Sequence, residues 1–409
     1  MMKMKDVDFR KTVTFSYVLK EFPSFLRLLA TTLFFNMLRI GLLPFIQWKV
    51  SHNTKPIKNI VILGFGGIGN HLMLIPAIKM IRQNFHDTNV HVLAASLPCA
   101  DLLKEARIVD SVSVFRLHSA KYLIRYHESL RALKKLRPDL VIGAAGLDPV
   151  FVGILSFISG AQLRAGANWR GRGFLFTHEI NLVGHEYEAI QNLRLVESVL
   201  GKPHHVSMKV PRFSLSEELL HAGQKWRAAL NLKQEAILVG LHPGSGTEQK
   251  WKRWDLKNFT ALAQCLETQC ACTCIFFLGP DERELEKALL DFNVPASLIS
   301  REDQSILQAA SRIAQCQLFV ANDSGLRQLA ASLGVPSIGI FGPTSAEKNF
   351  TANGIHKVVT ADHVLCRPCH YTRWWLACGT DRRCLTDITV ETILTKTVKH
   401  IQRLRRSDP

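Results

Sequence analysis

The sequence predicts an α/β protein made of two successive domains, each built around a parallel sheet. Three observations support this prediction: strand patterns alternate with helical patterns, the alternation begins twice, and small-residue turns follow several strands. The length of 409 residues is ordinary for two domains. Hydrophobic residues make 47% of the chain and charged residues 21%, so the chain has enough apolar surface for a large core.

The first alternating region begins at Lys58. An apolar helix is predicted after the glycine-rich segment at residues 64–71 and ends at Phe85. A basic helix is predicted between residues 115 and 139. The predicted strands of this region cover residues 59–63, 90–94, 111–115 and 139–143. Because strands and helices alternate, we expect βαβ units and a parallel sheet.

The second alternating region begins near Ala236. Its predicted helices include residues 256–269 and a segment that ends at Leu333. Its predicted strands cover residues 237–242, 274–278, 318–321 and 337–341. Pro203 and Pro211 mark the expected linker, which gives a first domain of residues 56–208 and a second of residues 209–409.

Residues 1–55 form an apolar and basic extension that differs from both regions. Arg27 and Arg39 interrupt its apolar run, so the clean stretch is too short for a spanning helix. Ser24, Arg27, Thr31 and Arg39 fall loosely on one side of a helix. This pattern fits a helix in the membrane interface, and it also fits a helix packed on the protein itself.

The net charge and the absence of certain motifs indicate which partners and which compartment to expect. A formal net charge of +17 favours nucleic acid, an acidic membrane surface or a phosphorylated substrate. The chain has no zinc-finger spacing, RNP-like aromatic signature or basic heptad region, so we expect no nucleic-acid partner. It also has no secretory signal pattern, which favours a reducing, cytoplasmic compartment.

A glycine-rich segment follows the first predicted strand and opens a helix. It reads Gly-Phe-Gly-Gly-Ile-Gly-Asn-His over residues 64–71. Backbone N–H groups of such a turn can hold a phosphate or a developing anion. A dinucleotide site would also need an acidic residue after the next strand, and residues 93–96 offer none. We therefore favour a substrate-facing loop at Gly66, Gly67 and Gly69; a tight turn without a ligand is the alternative.

Residues 242–247 carry His-Pro-Gly-Ser-Gly-Thr at the end of a strand. The small residues let a diphosphate approach the backbone, and the Ser245 and Thr247 hydroxyls can donate hydrogen bonds. Lys252, in the basic and aromatic segment that follows, can neutralise charge. A surface loop with lysines placed by chance is the alternative.

Two further motifs lie at strand ends of the second region. Gly-Pro-Asp-Glu at residues 279–282 offers a carboxylate to ribose hydroxyls, or caps the following helix. Asn-Asp-Ser-Gly at residues 322–325 leads into a helix whose first N–H groups can point at an anion. The alternative is an N-cap box without a ligand. A glycine turn, Phe-Gly-Pro-Thr at residues 341–344, follows one βα unit later.

In their order and spacing, these segments resemble glycosyltransferase family 9, the heptosyltransferases, over roughly residues 58–390. The resemblance implies a GT-B fold of two facing Rossmann-like domains, with the acceptor on the amino-terminal domain and the nucleotide sugar on the carboxyl-terminal one. It also implies inverting, metal-independent transfer from ADP-heptose to a lipopolysaccharide-type acceptor, without a required cofactor. The place of action would be the inner face of the cytoplasmic membrane.

The resemblance also assigns roles by position. Ser245, Thr247 and Lys252 would contact the diphosphate, Glu282 would hold the adenosine ribose, and Asp323, Ser324 and Gly325 would face the donor's sugar and phosphates. The complete set of expected donor-binding residues is Ser245, Gly246, Thr247, Lys252, Glu282, Asp323, Ser324 and Gly325.

The chain departs from the family pattern at two positions. The family commonly has Gly-Asp where this chain has Gly69-Asn70, and that aspartate is the family's proposed general base. An amide cannot accept the proton of a hydroxyl, which leaves Asn70 itself and the neighbouring His71 as the candidate catalytic positions. The family also often has a histidine where this chain has Gln328.

Three other functions fit parts of the sequence. A protein heptosyltransferase acting on autotransporters fits the cysteine cluster described next. A non-catalytic relative that binds nucleotide sugars fits Asn70. A nicotinamide oxidoreductase fits the glycine spacing of the first loop alone.

Four cysteines near the carboxyl end can form a tetrahedral thiolate site for structural iron or zinc. They are Cys366, Cys369, Cys378 and Cys384, and the first pair has the two-residue spacing typical of metal ligands. The resemblance adds that heptosyltransferases which modify autotransporter proteins bind iron through a similar cluster. A group of reduced thiols and labile disulfides are the alternatives.

Overall fold

The chain folds into two α/β domains, each with one six-stranded parallel sheet. The computed structural model describes residues 30, 32–42, 44, 56–115, 130–182, 186–203, 210–232, 236–301, 305–350, 354–369, 378 and 381–407. The predicted α/β class and the two successive sheets are confirmed.

The first sheet has the strand order β3-β2-β1-β4-β5-β6. Its strands are β1 (Asn59–Gly64), β2 (Asn89–Ala94), β3 (Ser111–Val114), β4 (Leu140–Gly143), β5 (Leu163–Asn168) and β6 (His178–Asn181). The central strands β1 and β4 are apolar and almost fully buried, because helices cover both faces of the sheet.

The second sheet has the order β12-β11-β10-β7-β8-β9. Its strands are β7 (Leu238–His242), β8 (Thr273–Leu278), β9 (Ile299–Arg301), β10 (Leu318–Asn322), β11 (Ser337–Ile340) and β12 (His356–Val359). If its strands are numbered from 1 to 6 and read from the β9 edge, the order is 3-2-1-4-5-6, the same as in the first sheet. The strand order therefore reverses between β1 and β4 in one domain and between β7 and β10 in the other, where ligands bind in open parallel sheets.

The helices connect the strands and cover the sheets. They are α1 (residues 32–42), α2 (Ile68–Asn84), α3 (Leu97–Glu105), α4 (residues 130–135), α5 (Pro149–Ile158), α6 (Glu188–Leu200), α7 (Glu217–Ala229), α8 (Leu256–Cys270), α9 (Arg283–Asp291), α10 (Ile306–Ile313), α11 (Gly325–Leu333), α12 (Ala346–Asn349), α13 (Arg383–Thr386) and α14 (Val390–Ser407).

Four strands were not predicted from the sequence: β5, β6, β9 and β12. The edge strands β6, β9 and β12 are incompletely buried, so their apolar pattern is weak. Strand β5, next to an edge, is almost fully buried, but its sequence is not a continuous apolar run. In β5 the buried Arg164 interrupts the pattern, and its guanidinium donates to the carbonyls of Leu175 and Ala161, both at 2.8 Å. These local hydrogen bonds are what allow a charged side chain inside the sheet.

Helix α1 packs on the first domain by one face and exposes the other. The Phe35 ring stacks on Phe174 at 5.6 Å, and Arg39 forms an ion pair with Glu179. The outer face carries large apolar side chains that are more than half exposed: Leu33, Phe34, Met37 and Ile40. None of the helices in the described part of the chain combines the length and apolar character needed to cross a membrane.

The two domains meet where α2 packs against α11 and α3 packs against α10. Apolar side chains from both domains, such as Leu72 and Leu329, belong to one buried cluster there. The predicted boundary between residues 208 and 209 falls within residues 204–209, outside the described residues, and stays a prediction. Most of the amino-terminal extension, including Ser24, Arg27 and Thr31, also lies outside the described residues.

Candidate active site

The amino ends of α2 and α11 face each other across the domain junction. A Cβ atom on Gly69 would lie 3.1 Å from Cγ of Gln328, and one on Gly325 would lie 3.1 Å from Cβ of Ile68. Glycine at positions 69 and 325 is therefore what permits this close approach. Because helix amino ends carry partial positive charge and unpaired N–H groups, the junction is suited to an anion.

The glycine loop fixes the side chain of Asn70. The backbone N–H of Gly67 donates to Asn70 Oδ1 over 3.0 Å, which orients the amide group. A Cβ atom on Gly66 would lie only 2.5 Å from Asn70 Cβ, so the loop requires glycine at position 66. The structure thus brings the predicted loop residues and Asn70 together beside the junction.

The amide of Asn70 points at a buried carboxylate. Asn70 Nδ2 donates to Glu188 Oε1 over 2.7 Å, and only 3% of Glu188 is exposed. Burial raises the pKa of Glu188, while the Asn70 hydrogen bond and the charge of Lys348 act in the opposite direction. Glu188 opens α6 in the first domain and Lys348 lies on α12 in the second, so their interaction crosses the junction.

His71 faces the inside of the first domain. Its ring is buried, Nδ1 lies 2.9 Å from the Gly67 carbonyl oxygen, and a Cβ atom on Gly64 would lie 3.1 Å from its Nε2. Burial lowers the pKa of His71. The catalytic assignment of Asn70 and His71 stays a prediction, and this geometry does not bring the His71 ring into the junction.

Glu282 locks two loops of the second domain together. Its Oε1 accepts from the Ser245 N–H at 2.7 Å, and its Oε2 accepts from the Gly279 N–H at 2.9 Å. The guanidinium of Arg253 lies 3.5 Å from the same carboxylate. A side chain on Gly244 would overlap Glu282, so the His-Pro-Gly-Ser-Gly loop needs glycine there to close over the carboxylate.

The small-residue loop is ordered by its own hydrogen bonds. The Ser245 hydroxyl donates to the Gln249 carbonyl at 3.0 Å and accepts from Arg253 Nε at 3.0 Å. Gly246 is exposed, with no atom within 4 Å of a Cβ placed on it, so its outer side is open. Thr247 begins a 3-10 turn that ends at Lys252.

Lys252 and Asp323 meet at the reversal point of the second sheet. Lys252 Nζ lies 3.6 Å from Asp323 Oδ2, and both residues are less than one tenth exposed. Asn349 Nδ2 donates to the same Asp323 oxygen at 3.3 Å. The two predicted donor-binding motifs, distant in sequence, thus place a cation and an anion side by side at the start of α11.

The Asn-Asp-Ser-Gly turn has a structural role as well. Asn322 Nδ2 donates to the Pro243 carbonyl at 2.8 Å, and Asn322 Oδ1 accepts from the Trp254 N–H at 3.0 Å. The Ser324 hydroxyl accepts from the Arg327 N–H at 3.3 Å, as an N-cap does. The N-cap alternative therefore describes this turn, and the anion-facing helix start coexists with it.

Three charged residues at the junction were missed by the sequence analysis: Glu188, Arg327 and Lys348. Arg327 is fully buried between the rings of Phe341 and Phe350, at 5.1 and 4.4 Å, and burial lowers its pKa to about 10. None of the three belongs to a motif with recognisable spacing. Glu188 and Lys348 come together only because their helices, from different domains, meet at the junction.

The four cysteines of the carboxyl end are among the described residues, but residues 370–377 and 379–380, which lie between them in sequence, are not. Burial raises the pKa of Cys384 to about 11, and the neighbouring thiols of Cys369, Cys366 and Cys378 act in the same direction. Among the residues that the structure describes, no group of three or more His, Cys, Asp or Glu side chains is arranged to hold a metal ion. The structural iron or zinc site therefore stays a prediction.

Comparison with known proteins gives one family. The model of "Glycosyltransferase family 9 (heptosyltransferase)" matches residues 127–372. Lipooligosaccharide heptosyltransferase 2 of Campylobacter jejuni is 26% identical over 333 residues, which cover 80% of this chain and 93% of that protein.

Solved structures share the architecture. An Escherichia coli ADP-heptose LPS heptosyltransferase II has a TM-score of 0.66 at 17% identity, covering 85% of this chain and 99% of that chain. A glycosyl transferase family 9 protein of Veillonella parvula has a TM-score of 0.68 at 18% identity, covering 85% and 98%. At these identities the likeness concerns the fold, and it confirms the predicted GT-B arrangement of two facing Rossmann-like domains.

Proposed function

The chain belongs to glycosyltransferase family 9 (heptosyltransferase), and we propose that it transfers heptose from ADP-heptose to a lipopolysaccharide-type core acceptor. The observation that carries this proposal is the junction at which the amino ends of α2 and α11 face each other. The start of α11 belongs to the domain proposed to bind the nucleotide sugar and offers N–H groups to an anion. The start of α2 belongs to the domain proposed to bind the acceptor and carries the glycine loop. The heptose, the ADP and the lipopolysaccharide of the proposal are taken from the relatives, a lipooligosaccharide heptosyltransferase and an ADP-heptose LPS heptosyltransferase.

The donor side of the junction suits a sugar diphosphate. The N–H groups at the start of α11 and the ammonium of Lys252 offer positive charge at one place. The open outer side of Gly246 leaves room for phosphate oxygens near the backbone. We expect the diphosphate to displace Asp323 as the nearest partner of Lys252, with Asn349 retaining the carboxylate.

The proposed reaction is one direct displacement that inverts the anomeric carbon. An acceptor hydroxyl forms a bond to that carbon from the acceptor domain, and the bond to the diphosphate oxygen breaks on the opposite side. ADP leaves with the bonding electron pair, and its developing charge is stabilised by Lys252 and the start of α11. No metal ion is needed in this scheme, because the chain itself supplies the positive charge.

The test is transfer measured by mass spectrometry. The purified full chain is incubated with ADP-heptose, ADP-hexoses or UDP-sugars, together with truncated lipopolysaccharide or an autotransporter protein as acceptor. The proposal predicts a heptose mass on lipopolysaccharide from ADP-heptose alone. Transfer to the protein acceptor, or tight ADP binding with no transfer, would replace the proposal by a protein heptosyltransferase or a non-catalytic relative.

A pair of lysine variants tests the donor side. We expect Lys252→Met to lower kcat/KM by about 10²-fold, since a buried cation at the leaving group is lost. Lys257→Met is the matched control, because Lys257 is exposed and pairs with Asp255 on the surface. Equal activity of the two variants would remove Lys252 from the proposed mechanism.

We also propose that α1 docks the enzyme on an anionic membrane surface. Its exposed face is formed by Leu33, Phe34, Met37 and Ile40, and Trp169 is also exposed nearby with Arg170 stacked on its ring at 4.9 Å. An apolar helix face beside basic and Trp side chains is typical of interfacial docking. The net charge of +17 favours anionic lipid.

Vesicle sedimentation tests this docking. The full chain should sediment with vesicles of phosphatidylglycerol and far less with vesicles of phosphatidylcholine alone. A Met37→Ser/Ile40→Ser variant should lose most of this binding, whereas Leu290→Ser/Phe292→Ser, which removes exposed apolar side chains of the second domain, should keep it. Undiminished binding of the first variant would rule out α1 as the docking element.

A further inference from the structure

We propose that Glu188 is the general base of the transfer reaction, accepting the proton of the attacking acceptor hydroxyl. This inference rests on the proposed function, because it needs a hydroxyl acceptor. It answers a chemical requirement that the glycine loop leaves open: the side chain of Asn70 cannot accept that proton.

The position of Glu188 follows from the topology of the first sheet. The strand order reverses between β1 and β4, and the loops after these two strands carry Gly66, Gly67 and Gly146. A Cβ atom on Gly146 would lie 3.1 Å from both carboxylate oxygens of Glu188, and Asn70 approaches from the loop after β1. The carboxylate thus lies at the reversal point, where a parallel sheet binds its substrate.

Asn70 and Glu188 are chemically complementary. The Gly67 N–H holds Asn70 Oδ1, so the amide can only turn its NH₂ group toward Glu188. An aspartate at position 70 would place a second carboxylate 2.7 Å from Glu188, and two such charges do not both ionise at that distance. Of these two side chains only Glu188 can carry a negative charge, and the Asn70 amide orients its carboxylate.

The other buried carboxylates have different tasks. Within the part of the chain that the structure describes, three carboxylates are buried: Glu188, Glu282 and Asp323. Glu282 accepts two backbone N–H groups, and Asp323 faces Lys252 at 3.6 Å. Both belong to the second domain, on the donor side. Glu188 belongs to the domain expected to hold the acceptor.

The proposed step balances without another reagent. The acceptor oxygen forms its bond to the anomeric carbon while its proton moves to a Glu188 oxygen, which becomes a neutral carboxylic acid. The carbon–oxygen bond to the diphosphate breaks, and ADP takes the electron pair. After product release the proton passes to solvent and restores the carboxylate.

The surroundings of Glu188 suit a base. Burial raises its pKa, which makes the carboxylate a stronger proton acceptor than an exposed one. Asn70 and Lys348 favour the ionised form and so oppose the effect of burial. Lys348 is the charged group that acts on Glu188, and it does so from the donor domain.

The first experiment compares Glu188→Gln with the wild-type chain in the transfer from ADP-heptose to truncated lipopolysaccharide. We expect kcat to fall about 10²–10⁴-fold, while the Kd for ADP, measured by calorimetry, changes less than about twofold. Glu186→Gln is the matched control: Glu186 lies two residues away and pairs with Arg194, and its loss should leave kcat unchanged.

The second experiment moves the carboxylate across the same hydrogen bond. In the double variant Asn70→Asp/Glu188→Gln, the new amide donates to the new carboxylate, and the corner keeps its charge and its hydrogen bond. We expect it to recover at least about tenfold of the rate lost in Glu188→Gln. A purely structural role of Glu188 predicts no such recovery.

A third measurement needs no variant. The wild-type kcat/KM should rise with pH on its acid side, with an apparent pKa above the 4.5 usual for glutamate. Transfer by Glu188→Gln at the wild-type rate, or a wild-type rate that is flat from about pH 5 to pH 9, would overturn the inference while leaving the proposed function intact. A wild-type chain that transfers from no donor overturns both.

Discussion

Two buried glutamates, one in each domain, show how the same side chain takes different tasks. Glu188 and Glu282 are each 3% exposed, and each lies beside the reversal point of its sheet. Glu282 is held by two backbone N–H groups from two loops, at 2.7 and 2.9 Å. The described hydrogen bond to Glu188 comes from one side-chain amide, that of Asn70.

The difference lies in what each carboxylate fixes. Glu282 accepts from the backbone N–H groups of Ser245 and Gly279, so it determines how the two loops that contain them lie together. Glu188 accepts a hydrogen bond from the Asn70 side chain and feels the charge of Lys348 in the other domain, so its loss affects side chains first. Burial alone therefore does not identify a reactive carboxylate; its partners do.

The largest expected effect is on folding stability. Glu282→Ala removes the acceptor of the Ser245 and Gly279 N–H groups, which should lower the free energy of unfolding by about 2–5 kcal/mol. Glu188→Ala should cost about 1 kcal/mol or less, because it deprives one amide of a partner. Urea unfolding followed by circular dichroism measures both, and equal losses would erase the distinction.

Two glycines of the His-Pro-Gly-Ser-Gly loop, Gly244 and Gly246, test how firmly Glu282 is held. Gly244→Ala would place a methyl group onto Glu282 and should destabilise the chain by about 1–3 kcal/mol. Gly246→Ala, two residues along the same loop, meets open space and should leave the unfolding midpoint nearly unchanged. The melting temperatures of the two variants check this, and a stable Gly244→Ala would mean that Glu282 is free to move.

The smallest expected effect is a pH dependence of stability. Because the folded pKa of Glu188 is raised, its contribution is fully present below its usual value of 4.5 and is lost as pH rises through the folded value. The wild-type chain should therefore lose stability relative to Glu188→Gln as pH rises through that window. Unfolding free energies of both chains at a series of pH values would show parallel curves if Glu188 stayed unperturbed.

Strong apolar periodicity allowed much of the fold to be predicted. The central strands β1, β4, β7 and β10 are buried on both faces, so their residues form continuous apolar runs that are visible in the sequence. The edge strand β6 lacks such a run, because few of its side chains reach the core. The motifs predicted to bind the donor could be recognised because each is a compact run of small and polar residues at a strand end.

The sequence by itself determined the central strands of both sheets, the glycine-rich turns and the family, since each depends on neighbours in sequence: apolar pattern, glycine turns and motif spacing. Only the tertiary structure decided which charges meet. Glu188 opens a helix with no motif, and Lys348 follows a turn more than 150 residues later; their interaction depends on how two domains pack. The tertiary structure likewise pairs Arg39 with Glu179 and leaves Leu33, Phe34 and Met37 exposed. A charge can be buried only beside a partner, and no local sequence pattern shows where that partner lies.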